Sequence, residues 1–207
     1  VLERYPDQLS PDIKTAEIFL KDYVAELECA GFTDEGITVC VLFTGADTEK
    51  ELDRWLAIVF KYLQKHGGYL DRIEPSDGSS IIYCYFEVFD KIETNAVRVL
   101  DFIVSIKRST VNDPSLGSLR WRAGIAYGTV KRLLTGNINR TICKFLGSSV
   151  KQAGLLARHA GFGEVLVSEQ LAKKTNRIFR FEKGDSDGSI KEKFYQFKTN
   201  YYSFNRA

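Results

Sequence analysis

The sequence predicts an α+β domain with a ferredoxin-like core, in which an antiparallel sheet carries two helices on one face. Three patterns lead to this fold class. A short, β-branched apolar run at 37–43 predicts a buried strand, and the capping-box pattern Thr48-Glu49-Lys50-Glu51 predicts a helix directly after it. Turn-forming residues at 75–79 separate two further strand-like runs and predict a hairpin. The resulting order, β-α-β-β-α-β, is that of the split βαβ arrangement.

The individual elements follow from the spacing of apolar residues. Apolar residues at helical spacing from Leu52 to Leu63 give the first helix a buried face, and Gly67-Gly68 ends it. The rest of the core is predicted as strands at 69–74 and 80–86, a helix at about 90–109 and a strand at 120–127 closed by Gly128. A C-terminal αβ extension follows, with a loop and strand at 136–146, a helix at 150–160, a strand at 164–167, a short helix at 168–175 and a final hairpin ending near Phe197.

Three stretches divide the chain. Residues 1–35 are expected to form a lead-in helix and linker, because Ser10 is a suitable N-cap and the residues after it carry apolar side chains at helical spacing as far as Ala30. Residues 36–198 are the predicted globular domain, and residues 199–207 are a tail without a strong pattern.

Composition limits the classes of function. Lys+Arg (29) and Asp+Glu (27) nearly balance, so the sequence predicts neither a nucleic-acid partner nor an anionic-membrane anchor. There is no run of 18 or more apolar residues, so no membrane segment is predicted. The four cysteines are far apart in sequence, and Cys40 and Cys84 fall in strand-like apolar runs as small core residues. A reducing, cytoplasmic setting is therefore the expectation.

The stretch from Arg120 to Ser168 carries a recognisable frame of glycines. Its first strand contains the phrase R-x-G-I-x-x-G, beginning at Arg122. The frame continues with Gly136, Arg140 and Gly147, and it closes with Gly163, a strand and Ser168. In these positions the sequence resembles the class III adenylyl and guanylyl cyclase domain, over about residues 37–174. The turn at 77–80 resembles that of the second cyclase domain in some tandem-domain proteins, where one half is often catalytically reduced.

The resemblance implies a reaction whose metal ligands are largely missing here. In the family, the ribose 3′-hydroxyl attacks the α-phosphate, and two carboxylates hold the two metal ions that neutralise the charge on the attacking and leaving oxygens. The first carboxylate position falls on Gly45, and Asp47 lies two residues further on. Asp77 is the candidate for the second carboxylate, although it also suits an Asp-Gly turn. We therefore expect no cofactor, or Mg²⁺ or Mn²⁺ if the site works with replacement groups.

The resemblance also implies groups that one domain lends to the other. The family's ribose-orienting Asn and transition-state Arg fall on Lys151 and Leu155, and a leucine can neither donate a hydrogen bond nor carry charge. Arg158, about one turn further along the helix, is either a replacement or a surface arginine. The base-selecting pair of adenylyl-type members falls on Arg72 and Ser148. The candidate nucleotide-binding residues are therefore Arg72, Asp77, Lys151 and Arg158.

The leading hypothesis is a catalytically degenerate cyclase homology domain that pairs with another cyclase domain and regulates it. The partner would be a second copy or a different, tandem domain, and a nucleotide is an optional ligand. The alternative is an active adenylate or guanylate cyclase that uses the replacement groups, with or without a partner domain. A third hypothesis, a ferredoxin-like nucleic-acid binder, needs exposed strand aromatics. Tyr83 and Tyr85 share one face of a strand, but we expect that face to be core or interface.

Overall fold

A computed structural model of the protein describes residues 33–45, 48–76, 79–88, 91–116, 119–137, 140–184 and 193–200. The predicted lead-in helix, Asp47 and Asp77 lie outside the described residues. The strands are β1 (Thr33–Thr44), β2 (Tyr69–Ser76), β3 (Ser79–Glu87), β4 (Arg120–Asn137), β5 (Arg140–Leu146), β6 (Val165–Ser168), β7 (Phe179–Lys183) and β8 (Phe194–Asn200). The helices are α1 (Glu49–Lys65), α2 (Ile92–Val111), α3 (Ser148–His159) and α4 (Glu169–Thr175), with a short 3-10 turn at Pro114–Leu116.

The strands form one eight-stranded sheet in the order β2-β3-β1-β4-β6-β8-β7, and β5 pairs with β4 beside this path. Each neighbouring pair in the order β2-β3-β1-β4 is antiparallel, which confirms the predicted ferredoxin-like core. The extension adds β6, which runs parallel to β4, because α3 connects the β4–β5 hairpin back to the sheet.

The main core lies between one face of the sheet and the helices α1, α2 and α4. Thr48 caps α1 in a complete capping box with Glu51, as the sequence predicts. Trp55 of α1 lies 5.6 Å from the Phe43 ring and 6.5 Å from the Trp121 ring, between centroids. Aromatic side chains bury large apolar areas, so this group joins α1 to the two central strands. None of the described helices is long and apolar enough to cross a membrane.

The opposite face of the sheet is covered by α3, which lies directly on the backbone of β4. An ideal Cβ built on Gly124 would lie 2.1 Å from the Ala153 carbonyl oxygen and 2.4 Å from the Ala157 nitrogen. The Arg122 guanidinium donates from Nη1 to the carbonyl oxygen of Ala160, 3.0 Å away, at the C-terminal end of α3. The R-x-G-I-x-x-G phrase therefore determines how α3 packs on β4. The arginine holds the end of the helix, and the first glycine permits its close approach.

The other end of α3 also depends on small residues. A Cβ on Gly147 would lie 2.5 Å from the Thr129 carbonyl oxygen, so the turn from β5 into α3 passes against β4. Ser168, the last residue of the frame, accepts a hydrogen bond from the Leu171 nitrogen and caps α4. Most of the frame that carries the family resemblance is thus explained by packing and capping.

Several element boundaries differ from the sequence predictions, and β1 begins at Thr33, four residues before the predicted strand. Gly128 does not end the fourth strand, which continues to Asn137 because residues 129–131 still pair with β1 and residues 131–137 pair with β5. The strand of the 136–146 prediction is therefore the second arm of a β4–β5 hairpin. The helix predicted at 150–160 begins at Ser148, two residues earlier. The final strand extends beyond Phe197 to Asn200, because Thr199 and Asn200 pair with β7.

Substitution of the glycine under α3 tests this packing directly. Gly124→Ala should destabilise the fold by about 1–3 kcal/mol, because the added methyl group overpacks a backbone contact. Gly128→Ala is the matched control on the same strand, since its Cβ would meet Ser149 Cβ at an ordinary 3.4 Å. We expect this control to change the free energy of unfolding by no more than about 0.5 kcal/mol. Urea unfolding measures both variants, and equal losses would contradict the account.

Candidate functional site

The end of β1 is the first place where the resemblance implies metal chemistry. Thr44 ends the strand between Ser79 of β3 and Arg120 of β4, and Gly45 follows it. Gly45 has φ of 82°, a left-handed conformation that favours glycine over residues with a side chain. The backbone at the first carboxylate position is therefore suited to glycine.

The described residues do not fit a pair of metal ions at this edge of the sheet. They contain no group of three His, Cys, Asp or Glu side chains placed to hold a metal ion. Two-metal phosphoryl chemistry relies on carboxylates that bridge or hold both ions. Gly45 offers none, and Asp47 and Asp77 lie outside the described residues, so no reaction step through a metal follows from this structure.

Arg72 is held in place by carboxylates of its own strand. A β-bulge lies between Leu70, which pairs with Cys84, and Arg72, which pairs with Tyr83. A bulge re-aims side chains, and here Asp71 is the extra residue. The Arg72 guanidinium bonds Asp71 through Nη1, donates from Nε to Glu74 at 2.6 Å and stacks 4.1 Å from the Tyr83 ring centroid. The pKa of Arg72 is raised, because these carboxylates outweigh the opposing effect of burial.

Asp71 connects this edge strand to β5. Its side chain is only 2% exposed, and its carboxylate accepts a hydrogen bond from the Phe145 nitrogen at 3.1 Å. Burial raises the pKa of the Asp71 carboxyl even though Phe145 and Arg72 stabilise its charged form. Arg72 is thus the counter-ion of a buried carboxylate, and it is engaged within the domain.

Tyr83 is the point at which two of the predicted site residues meet. A Cβ on Gly154 of α3 would lie 2.8 Å from the Tyr83 hydroxyl and 3.5 Å from Arg158 Nη1, so both groups lie against this glycine. Arg72 stacks on the same tyrosine. Burial raises the pKa of Tyr83 and raises that of neighbouring Cys40 to about 12, although the Arg158 charge opposes both shifts. Both groups are therefore neutral at physiological pH.

Lys151 lies apart from this cluster on the outer side of α3. Residues 151, 155 and 158 fall within about 60° of one another around the helix axis, and Lys151 and Arg158 are about 10 Å apart along it. All three are exposed, Leu155 by 41%. We call this surface the outer stripe of α3. The stripe is exposed and accessible to another molecule, although Arg158 lies at its edge beside Tyr83.

The structure describes three of the four predicted site residues and places them in different settings. It brings Arg72 and Arg158 together at Tyr83, and it leaves Lys151 on the outer stripe. Asp77 lies outside the described residues, and Ser148 is exposed at the start of α3. Sequence reasoning missed Asp71, whose role depends on a bulge without a local sequence signature. Tyr83 and Tyr85 are buried beneath α3, so they offer no exposed stacking surface for nucleic-acid bases.

Comparisons with solved structures identify the fold. The guanylate cyclase domain of RhGC from Catenaria anguillulae, solved in complex with GTP, is 16% identical and superposes with a TM-score of 0.66 over 82% of this chain and 99% of that domain. A non-canonical dimeric guanylyl cyclase domain from Blastocladiella emersonii gives the same identity, TM-score and coverage. The adenylyl cyclase CyaB from P. aeruginosa is 17% identical, with a TM-score of 0.62 over 81% of this chain and 96% of that one.

No family model matches the sequence, and no curated protein matches it. The structural neighbours therefore establish the fold alone: this chain has the α+β fold of class III adenylyl and guanylyl cyclase catalytic domains. At these sequence identities, a shared fold does not imply that the residues of the reaction centre are shared.

Proposed function

We propose that this chain is a catalytically silent cyclase homology domain that pairs with another cyclase domain and regulates it in cytoplasmic cyclic-nucleotide signalling. One observation carries the proposal. The position that corresponds to the first metal-binding carboxylate is Gly45, whose backbone conformation favours glycine. A replacement carboxylate there would have to bear the strain of a left-handed conformation.

The second support is the outer stripe of α3. The family lends an amide and a guanidinium from this helix, whereas this chain offers Lys151 and the apolar Leu155. Loss of one preorganised stabilising group typically costs about 10²–10³ in rate. These losses do not simply add, but a carboxylate and the transition-state arginine are absent together. Silence of the reaction centre is thus expected for this chain alone and for a pair of its copies.

The third support is that the Arg72 side chain is already bonded within the domain. A base-selecting side chain must exchange its water for ligand contacts, but the Arg72 guanidinium already bonds Asp71 and Glu74. Releasing it would leave the buried Asp71 carboxylate without its counter-ion, which is costly. The positive charge at this position therefore serves the domain's own packing.

The pairing role follows from what the fold retains. The packing of α3 on β4 is intact. The outer stripe presents an apolar residue between two cations, and the side chains of these cations form no ion pair with any described residue. A surface of this kind suits a partner with apolar and acidic groups. The partner is a second copy or a different cyclase domain.

An active cyclase remains the second candidate, because the Arg158 guanidinium lies beside Tyr83 without a carboxylate partner among the described residues. In this candidate, Asp47 and Asp77 would hold Mg²⁺ or Mn²⁺, and Lys151 and Arg158 would contact the phosphates of ATP or GTP.

Turnover separates the two candidates. We expect the purified chain to form no cyclic AMP or cyclic GMP above background with Mg²⁺ or Mn²⁺, alone or with its partner domain's own site inactivated. An intact cyclase domain serves as the positive control. Metal-dependent turnover that Asp77→Ala abolishes, and that the exposed control Asp53→Ala on α1 preserves, would establish the active candidate instead.

Pairing has its own test on the outer stripe. Leu155→Asp should weaken association at least about tenfold, whether the partner is a second copy or an intact cyclase domain, because it places a charge in the centre of an interface. The control is Val111→Asp, at a 78% exposed position at the end of α2 on the other side of the sheet. Sedimentation velocity measures both variants. Absence of association with either partner, or equal weakening by both variants, would contradict the pairing role.

A further inference from the structure

An exposed aromatic ring lies between two arginines just beyond the C-terminal end of α3. Phe162 is 53% exposed, and the guanidinium carbons of Arg120 and Arg122 each lie 5.5 Å from its ring centroid. We call Arg120, Arg122 and Phe162 the arginine–phenylalanine patch. Phe162 lies on the loop between α3 and β6, and the two arginines lie at the start of β4, outside the outer stripe and outside the Tyr83 cluster.

The patch is held rigidly. Gly163 has φ of 75° and donates its nitrogen to the Trp121 carbonyl oxygen at 2.7 Å. The Gly161 nitrogen donates to Glu164 Oε2 at 2.9 Å. Arg122 is fixed by its bond to the end of α3. These bonds hold the backbone of the loop, so little loop entropy would be lost when a ligand covers Phe162.

The charge of neither guanidinium is neutralised within the described part of the domain, although Arg122 Nε is buried and Arg122 Nη1 bonds Ala160. Neither forms an ion pair with a described carboxylate. The carboxylate on the same loop, Glu164, bonds Gly161 through one oxygen and accepts from Gln196 Nε2 through the other at 2.7 Å. Guanidiniums are weakly hydrated and match carboxylates with paired hydrogen bonds, so this arrangement favours carboxylate ligands.

A small free anion fits the patch poorly. Phosphate is usually held by convergent backbone N–H groups, and the nitrogens of Gly161 and Gly163 already donate within the domain. A nucleic acid would need many cations along a track, whereas this chain has a formal net charge of only +2 and the patch has two arginines. A ligand in which an anion is joined to an apolar group can pair with both arginines and also cover the exposed ring.

We propose that the arginine–phenylalanine patch docks an acidic peptide segment of a partner protein, in which carboxylates flank an apolar side chain. The carboxylates contact Arg120 and Arg122, and the apolar side chain covers the Phe162 ring. Aromatic and arginine side chains dominate the affinity of protein interfaces, and both are present here in one rigid group. This docking does not depend on cyclase pairing or on the state of the reaction centre.

The test uses the full 207-residue chain and a fluorescein-labelled peptide in which glutamates alternate with leucine and phenylalanine. We expect saturable binding by fluorescence anisotropy that weakens with rising salt. Phe162→Ala and Arg120→Glu should each weaken it at least about tenfold. Arg180→Glu, an exposed arginine of β7, is the matched charge-reversal control and should leave it within about twofold, after correction for net charge. A peptide with serine in place of the apolar residues should bind at least about tenfold more weakly.

Three results would overturn the proposal. The first is no binding of the apolar acidic peptide up to the solubility limit of the chain. The second is equal weakening by Arg120→Glu and Arg180→Glu, which would indicate only general charge attraction. The third is displacement by inorganic phosphate or by a single-stranded RNA in the concentration range of the peptide, which would assign the patch to another ligand class. Thermal unfolding of each variant verifies that the fold is kept. Phe162→Leu, which retains apolar surface, should keep most of the binding that Phe162→Ala loses.

Discussion

The close approach of α3 to β4 is the constraint on which the rest of the structure depends. Gly124 leaves no room for a side chain between the helix and the strand, and Arg122 holds the end of the helix. This contact fixes the outer stripe, the position of Arg158 beside Tyr83 and the loop that exposes Phe162. Gly124 and Arg122 therefore serve the packing of this domain, whether or not it catalyses a reaction.

The proposed silent reaction centre is compatible with an intact fold, because different residues serve the two. The frame residues act on the domain's own backbone, so their loss would cost folding free energy. The groups that the resemblance implies at positions 45 and 155 would act on a substrate or on a partner, so the domain can fold without them. Arg72 shows a further step, because a charge that could serve a ligand now compensates the buried Asp71. Together these features favour a regulatory role through surfaces.

Much of the fold was predictable from local patterns. The apolar run at 37–43, the Thr48 capping box and the turn at 75–79 each determine an element through short-range physics. The end of β4 was not predictable from Gly128, because pairing with β1 and then with β5 overrides the local preference of glycine to interrupt a strand. The bulge at Asp71 was also hidden, since it depends on the register between β2 and β3. The sequence offered Arg72 and Arg158 as candidates, but it assigned their shared neighbour Tyr83 to core or interface and gave no sign that the two arginines meet there.

The most direct test of the central claim is anomalous diffraction from crystals of the chain grown with an ATP analogue and Mn²⁺. The account predicts no manganese peak at the end of β1 or at the turn between β2 and β3. Two peaks separated by roughly 3.5–4 Å, with Asp77 and a second carboxylate as ligands, would show a working metal pair and contradict it.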